Sequence, residues 1–319
     1  MVARAKVLRQ SEQIWSEGAA PEPFARRYAW KTSSLSRALG LQRIGAHLEE
    51  VLPGKASCQM HFHLRTEEHF LVLDGELTVR ERWPGVDGLL EYAARPGDLL
   101  VYRPGTRIAH QFRNEGRSSV RLLAASRNVP GDVCVYPETG RAWLPEIGRN
   151  VRLSPSAAVL GQGSARSPRP AEPLVRAPLM QGGHRGALEP GSSWPGETMR
   201  MVAAQLEPGQ GSGDPCCLCV GEELLWVHSG ELVVRELVDG RISSTPLHPG
   251  DAIHWPPGSG RVHELFNHGD VPAQYVVIAE QLDYEIVQLG EASVLEPRLL
   301  GVRGRVEDVS PWEGVEIDG

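Results

Sequence analysis

The sequence repeats itself. Gly54, His61, Glu68 and Gly75 recur 155 positions later as Gly209, Cys216, Glu223 and Gly230, and Gly97, Gly105, His110 and Asn114 recur 153 positions later as Gly250, Gly258, His263 and Asn267. The run Phe70-Leu71-Val72-Leu73-Asp74-Gly75-Glu76-Leu77 is echoed by Leu225-Trp226-Val227-His228-Ser229-Gly230-Glu231-Leu232. A repeat of this length requires one compact unit built twice, and 319 residues are a comfortable length for two such units. The 35 glycines and 25 prolines favour a turn-rich β architecture over long helices. The expected fold class is all-β.

Three segments follow. Residues 1–150 form the first unit, residues 151–195 are rich in Pro, Gly, Ser, Ala and Arg, and residues 196–319 form the second unit with an acidic tail from Val306 to Gly319. The middle segment reads as an interdomain linker, with an ordered arm lying on the second unit through Leu174 to Leu179 as the alternative. Residues 1–30 read as an irregular leader whose apolar anchor is Ile14-Trp15. Within the first unit, Ile44 to Val51 and Val120 to Ala125 read as strands, and Trp83 to Gly88 as a hairpin.

Composition excludes several classes of function. The apolar fraction of 41% supports a proper core, and 23% charged residues is ordinary for a soluble protein. A net charge of −7 without a basic run or aromatic-basic interleaving gives no footing for nucleic acid. No stretch approaches the roughly 20 apolar residues of a membrane span, so no membrane partner is expected. The basic residues of Met1 to Gln10 are not followed by an apolar region, so no secretory signal is expected. Five cysteines, three of them bunched, do not form a disulfide framework, and a reducing cytoplasm is the expected compartment.

The chemistry is concentrated in the first copy. His61 and His63 sit two apart, so in an extended strand both imidazoles leave on one face while Phe62 points to the other. Glu68 follows, then the apolar strand Phe70 to Leu73, and later His110. His69, next to Glu68, faces the other side and reads as structural. Imidazoles leaning on one carboxylate favour iron, manganese, nickel or zinc over calcium.

These stretches resemble the paired signature motifs of the cupin superfamily. The first motif matches through Gly54, His61, His63, Glu68 and Gly75, with six residues between Gly54 and His61 where five are usual. The second matches through Gly97, Gly105, His110 and Asn114, with Arg103 in place of the first Pro and a spacer before the histidine two residues longer than usual. Both copies share that long spacer. The resemblance covers most of residues 40–128 and 198–280 and implies two tandem cupin barrels, the double-stranded β-helix or jelly roll. It implies His61, His63, Glu68 and His110 as metal ligands. Leaders in cupin-like chains pack across a sheet or exchange with a partner subunit. Monomer and homodimer are both compatible with two barrels covering each other's edges.

The second copy has lost ligands, because Leu218 stands at the His63 position. Cys216, Glu223 and His263 remain, with Cys217 and Cys219 beside them. They allow a thiolate-containing zinc site, but equally a barrel filled by small buried cysteines. With a leucine in the middle we take the second reading, which leaves the first barrel as the working site.

Strand parity gives its pocket. Gln59 shares a face with His61 and His63, Phe70 and Val72 share one with Glu68, and Phe112 shares one with His110. Tyr102 and Arg103, with Arg65 and Arg107, are placed near the barrel mouth, where forked hydrogen bonds could hold a carboxylate or phosphate; each alone is as well read as a solvated surface group.

In ligand set the chain resembles bicupin enzymes such as quercetin dioxygenase and oxalate decarboxylase, without the second intact site that the decarboxylases usually keep. The expectation is a metal-dependent oxygenase acting on a small organic molecule, with Fe(II) as cofactor and Mn, Ni or Zn as the other candidates. Gln59 would touch substrate, and Glu68 would ligate the metal or detach and act as a base. The alternatives are a non-catalytic bicupin that binds or senses a small ligand, and a metal-dependent isomerase or lyase.

Overall fold

A computed structural model describes residues 5–153, 174–176, 180–181, 196–238, 241–290, 294–297 and 304–305. The acidic tail from Val306 and most of the 151–195 segment lie outside the described residues. Among the described residues the architecture is strands throughout, with one short α-helix, Leu35–Leu39, and three 3-10 turns.

Each repeat closes as two facing layers of strands, antiparallel except for the parallel pairing of Met180–Gln181 with Met199–Leu206. In the first, the large sheet runs in the order Trp15–Ala19, Ala29–Ser34, Ile44–Val51, Val120–Arg127, Glu68–Asp74, Asp98–Tyr102 and Leu174–Arg176. Two smaller sheets complete that barrel. One orders Ala109–Arg113, Leu77–Arg82 and Leu90–Ala94, and the other Phe62–His63, Cys134–Tyr136, Arg141–Leu144 and Arg149–Arg152. In the second repeat the large sheet runs Lys6–Leu8, Ala252–Trp255, Glu223–Ser229, Ala273–Glu280, Met199–Leu206 and Met180–Gln181. The other layer contains Val262–Phe266, Cys216–Leu218 and Ile286–Leu289.

The two large sheets explain why their strands are apolar on both faces. Phe70 and Val72 point into the first barrel, while Leu71 and Leu73 join an inter-barrel core with Met199, Met201, Leu224 and Trp226. Leu225 and Val227 fill the second barrel. A sheet covered on both sides gives a continuous apolar run rather than alternation.

Repeated motif residues do the same structural work in both halves. Asn114 donates to the carbonyls of Val51 and Ser118 and accepts from Gly116, and Asn267 does so with Leu206, Val271 and Gly269. Gly75 and Gly230 turn with φ of +82° and +72°; a Cβ there would meet Val120 at 2.8 Å and the Pro272 carbonyl at 2.6 Å. The motif glycine is therefore required by both conformation and close approach.

A pair of carboxylates cross-links the barrels reciprocally. Glu67 of the first accepts from the amides of Glu197 and Thr198, where the second barrel's first long strand begins. Glu222 of the second accepts from the amides of Gln42, Arg43 and Ile44, where the first barrel's equivalent strand begins. Each also pairs with a buried histidine, His69 at 2.7 Å and His254 at 3.0 Å. His69 thus faces away from the metal motif, as alternation requires.

The terminal arms differ from expectation. Ile14 is 83% exposed and anchors nothing, whereas the leader's strand Lys6–Leu8 crosses to pair with Ala252–Trp255 of the second barrel, burying Leu8. Leu174–Arg176 pairs with Asp98–Tyr102 of the first barrel, whereas Met180–Gln181 pairs with Met199–Leu206 of the second, so the described parts of the middle segment lie on both barrels. Both arms cover a bare sheet edge, which explains why polar, Pro-rich segments acquire strand structure there.

Candidate metal centre

His61 and His63 lie where the chain enters the Phe62–His63 strand, and His110 lies on Ala109–Arg113. His61 and His110 are bridged directly, amide to carbonyl in both directions, at 3.2 and 2.9 Å. Glu68 begins the adjacent strand of the large sheet. The ligating atoms of His61, Glu68 and His110 all come within 4.8 Å of one another. His63 points its Nε2 at Glu68 Oε1 at 3.6 Å, and its nitrogen also groups with His61 and Cys134.

The His61 and His63 imidazoles are anchored through Nδ1. His61 Nδ1 lies 2.9 Å from the Gln59 carbonyl, and His63 Nδ1 lies 2.5 Å from Asp132 Oδ2. Asp132 Oδ1 also accepts from the amides of Arg65 and Thr66, so the carboxylate is itself fixed. His110 is held by its face, stacked on Tyr102 with ring centroids 3.7 Å apart. Anchoring one ring nitrogen fixes the tautomer and leaves Nε2 for a metal.

Two atoms at the centre are buried without a hydrogen bond among the described residues, Glu68 Oε2 and His110 Nε2, which face each other at 3.4 Å. Buried polar atoms without partners are costly, and a divalent cation satisfies both. The donor set fits such an ion: imidazoles plus one carboxylate. Burial, then the neighbouring His110, lowers the His61 pKa to about 4, so that ring is neutral at pH 7. Burial also opposes charge on His63, but the Glu68 and Asp132 carboxylates outweigh it and raise its pKa to about 11. Burial would raise the Glu68 pKa, yet His63 and His110 hold it well below the usual range.

The cluster opens on a cavity of about 460 Å³, within the range of small-ligand sites. Gln59, Phe70 and Phe112 line it, as parity indicated. Gln59 accepts from Arg141 at 3.0 Å. Val72, Tyr102 and Arg103 do not line it. Val72 lies further down the same strand, in the apolar core. The Tyr102 hydroxyl is turned away from the cavity, donating to buried Glu81 at 2.8 Å while the ring supports His110. Arg103 is directed to Glu197, 3.7 Å away, and Arg65 to the Pro130 carbonyl. Neither Arg65 nor Arg107 is among the lining residues, and among the described residues no arginine or lysine lines the cavity.

The structure also adds residues that motif reading missed. His47 and Glu49 line the cavity from the Ile44–Val51 strand, 3.5 Å apart, and their i, i+2 spacing put them on one face of a strand already legible. Tyr28 and Trp30 come from the leader and its strand, and Tyr136 and Trp143 from the strands after residue 128. No local pattern marked these aromatic residues, because long-range pairing brings them in.

In the second barrel Cys216 and His263 are cross-strand partners, and His263 Nε2 lies 3.7 Å from Glu223. They do not form a metal-ligand cluster among the described residues. Leu218, Leu225, Trp255 and Leu265 fill the interior instead.

Comparison with known proteins agrees with this fold. The cupin domain profile matches residues 47–126 and again 204–279. A solved structure of a Bacillus subtilis oxalate decarboxylase variant superposes with a TM-score of 0.55 at 15% identity, covering 85% of this chain and 76% of that one. Another structure, concerned with the Mn(II) centres of Bacillus subtilis oxalate decarboxylase, superposes with a TM-score of 0.54 at 14% identity over the same shares. No curated protein sequence matches the chain. Among the described residues no helix is long and apolar enough to cross a membrane. With two profile matches and two jelly-roll barrels, the chain belongs to the cupin superfamily as a tandem-repeat bicupin.

Proposed function

We propose that the first barrel is a metal-dependent oxygenase site for a small, largely apolar cyclic molecule, with iron(II) as its resident ion. The observation that carries this is where Glu68 Oε2 and His110 Nε2, buried without a hydrogen bond among the described residues, sit. They lie at the wall of a cavity lined by Phe70, Phe112, Tyr136 and Trp143, without an arginine or lysine. A small dianion such as oxalate would find no guanidinium on that wall, whereas a flat ring finds edges and faces to pack against.

His61, Glu68 and His110 would hold the ion, with His63 completing the set. Fewer ligands than the ion's full coordination leaves positions open, and iron there would supply Lewis acidity and one-electron chemistry. The protein does the rest. Gln59 presents a carboxamide held by Arg141, which orients a polar substituent. Glu49, with His47 beside it, can accept a proton from a substrate hydroxyl within hydrogen-bond reach. The aromatic wall excludes water and fixes the plane of the ring.

The test is metal content of anaerobically purified protein followed by oxygen uptake with a panel of phenolic and other cyclic compounds. About one iron per chain and substrate-dependent oxygen consumption are the expected results. Turnover without oxygen, with zinc or manganese in place, would instead establish isomerase or lyase chemistry. Ligand binding without turnover would leave a sensor.

A further inference from the structure

Two thiols that none of the cupin motif residues accounts for line the cavity, Cys58 and Cys134, and of these Cys134 groups with two motif histidines among the described residues. Cys134 is 4% exposed, lines the cavity, and sits directly across from His63 in the pairing of Cys134–Tyr136 with Phe62–His63. Directly opposed residues in an antiparallel pair project to the same face with Cβ atoms about 5 Å apart. The next same-face position along the histidine strand is His61, itself bridged to His110. Four side chains therefore occupy the corners of one patch: His61 and His110 on one side, His63 and Cys134 on the other. The Cys134 sulfur and the nitrogens of His61 and His63 lie within 4.8 Å of one another, as close a grouping as His61, Glu68 and His110.

The second barrel supplies an internal control. Its register pairs Leu218 with Val287, the positions equivalent to His63 and Cys134. Both members of the cross-strand pair have been exchanged together for apolar residues. The pair Cys216/His263, equivalent to His61/His110, keeps donor atoms. A cysteine serving only as a small hydrophobe has no reason to follow the histidine opposite it.

We propose that Cys134 is a thiolate ligand of the first barrel's metal, sharing the ion with His61 and His63. The S–H proton passes to water as the metal–sulfur bond forms. The proposal rests on the reading that this barrel holds a metal, and it sharpens the choice of ion. Thiolate favours zinc, iron, cobalt or copper(I) over the hard ions magnesium, calcium and manganese.

Cobalt(II) is a suitable probe, because a bound thiolate adds a near-ultraviolet charge-transfer band that nitrogen and oxygen ligands do not produce. Titrating the anaerobic full-length chain should give one cobalt per chain with that band. Cys134→Ser should lose the band while retaining cobalt's visible bands, and Cys58→Ser and Cys219→Ser should keep both. Cobalt binding without the band, or a band that survives Cys134→Ser, would overturn the thiolate assignment and leave the metal reading standing. No cobalt bound at all would overturn both. Should Cys134→Ser fold poorly, cobalt-edge X-ray absorption on the unmodified chain decides the matter. A sulfur neighbour at about 2.3 Å is expected, and a shell of nitrogen and oxygen alone would refute it.

Discussion

The two barrels share a scaffold and differ in what fills it. Register by register, His47, Glu49, His63, Phe70, Phe112 and Tyr136 of the first correspond to Val202, Ala204, Leu218, Leu225, Leu265 and Leu289 of the second. Every exchange removes a polar or aromatic group from the interior and adds aliphatic volume or a small apolar side chain. The turn asparagines, the turn glycines and the inter-barrel carboxylates are unchanged. Even the platform beneath the motif histidine persists. Tyr102 on Glu81 becomes Trp255 on Glu236, and Trp255 stacks on His263 at 3.8 Å and donates to Glu236 at 3.0 Å. The scaffold is thus separable from the chemistry, and the second barrel shows what the first would be without its site.

The largest effect we expect comes from breaking what the barrels share. Glu222 is 1% exposed and receives three amides and His254, so Glu222→Ala leaves buried donors without an acceptor. Loss of such a buried charged partner costs on the order of 3–5 kcal/mol. Denaturant unfolding should show that loss for Glu222→Ala and a comparable one for Glu67→Ala; a cost under about 1 kcal/mol in both would remove the carboxylates from the account of how the barrels are joined.

Next in size is the contrast in metal binding. A ligand at a hundred times its Kd stabilises the folded state by about 2.7 kcal/mol. Added divalent metal should raise the Tm of the wild type and of His263→Ala but not that of His110→Ala. Equal responses in the two variants would mean the barrels are functionally alike.

The carboxylates behind the motif give a finer contrast. Asp132 and Glu285 occupy equivalent places and hold equivalent backbone amides, Arg65 and Thr66 in one case, Val220 and Gly221 in the other. Only Asp132 also holds a histidine. Asp132→Asn should weaken metal affinity roughly 10–100-fold, as loss of a ligand-orienting partner does, and Glu285→Gln should leave affinity unchanged. Isothermal titration with zinc measures both.

How much of this was legible follows the range of the contacts involved. His61, His63, Glu68 and His110 were readable because a strand's period and a repeated spacing are local facts. The duplicated barrel was readable because the same turns recur. Val72 and Arg103 were misplaced because parity gives a face but not a depth along the barrel or a competing partner such as Glu197. Tyr102 was misread for the same reason, since a buried acceptor, Glu81, turns its hydroxyl away from the cavity. Cys134 and Asp132 join the site through strand pairing across more than 60 residues, which no spacing rule encodes. The arms were unreadable because their strands exist only against sheet edges supplied by distant parts of the chain.

The smallest effect concerns one of those arms. Asp251 is buried and accepts from the amides of His248 and Gln10 and from Arg9, tying the leader to the second barrel. Burial alone would raise its pKa, but these donors hold it below the usual carboxylate value. A depressed folded pKa means the contribution is complete above the unfolded pKa of about 3.9 and is lost as pH falls through the lower folded value. Arg9 is partly exposed, so salt screens its share, and Asp251→Asn should cost only about 1 kcal/mol. Hydrogen exchange at Lys6–Leu8 should accelerate in that variant at neutral pH, and in the wild type only below about pH 4. The Leu174–Arg176 arm pairs with Asp98–Tyr102 of the first barrel and should be indifferent to the substitution; if both arms loosened together, the two edges would be coupled through the inter-barrel core rather than held separately.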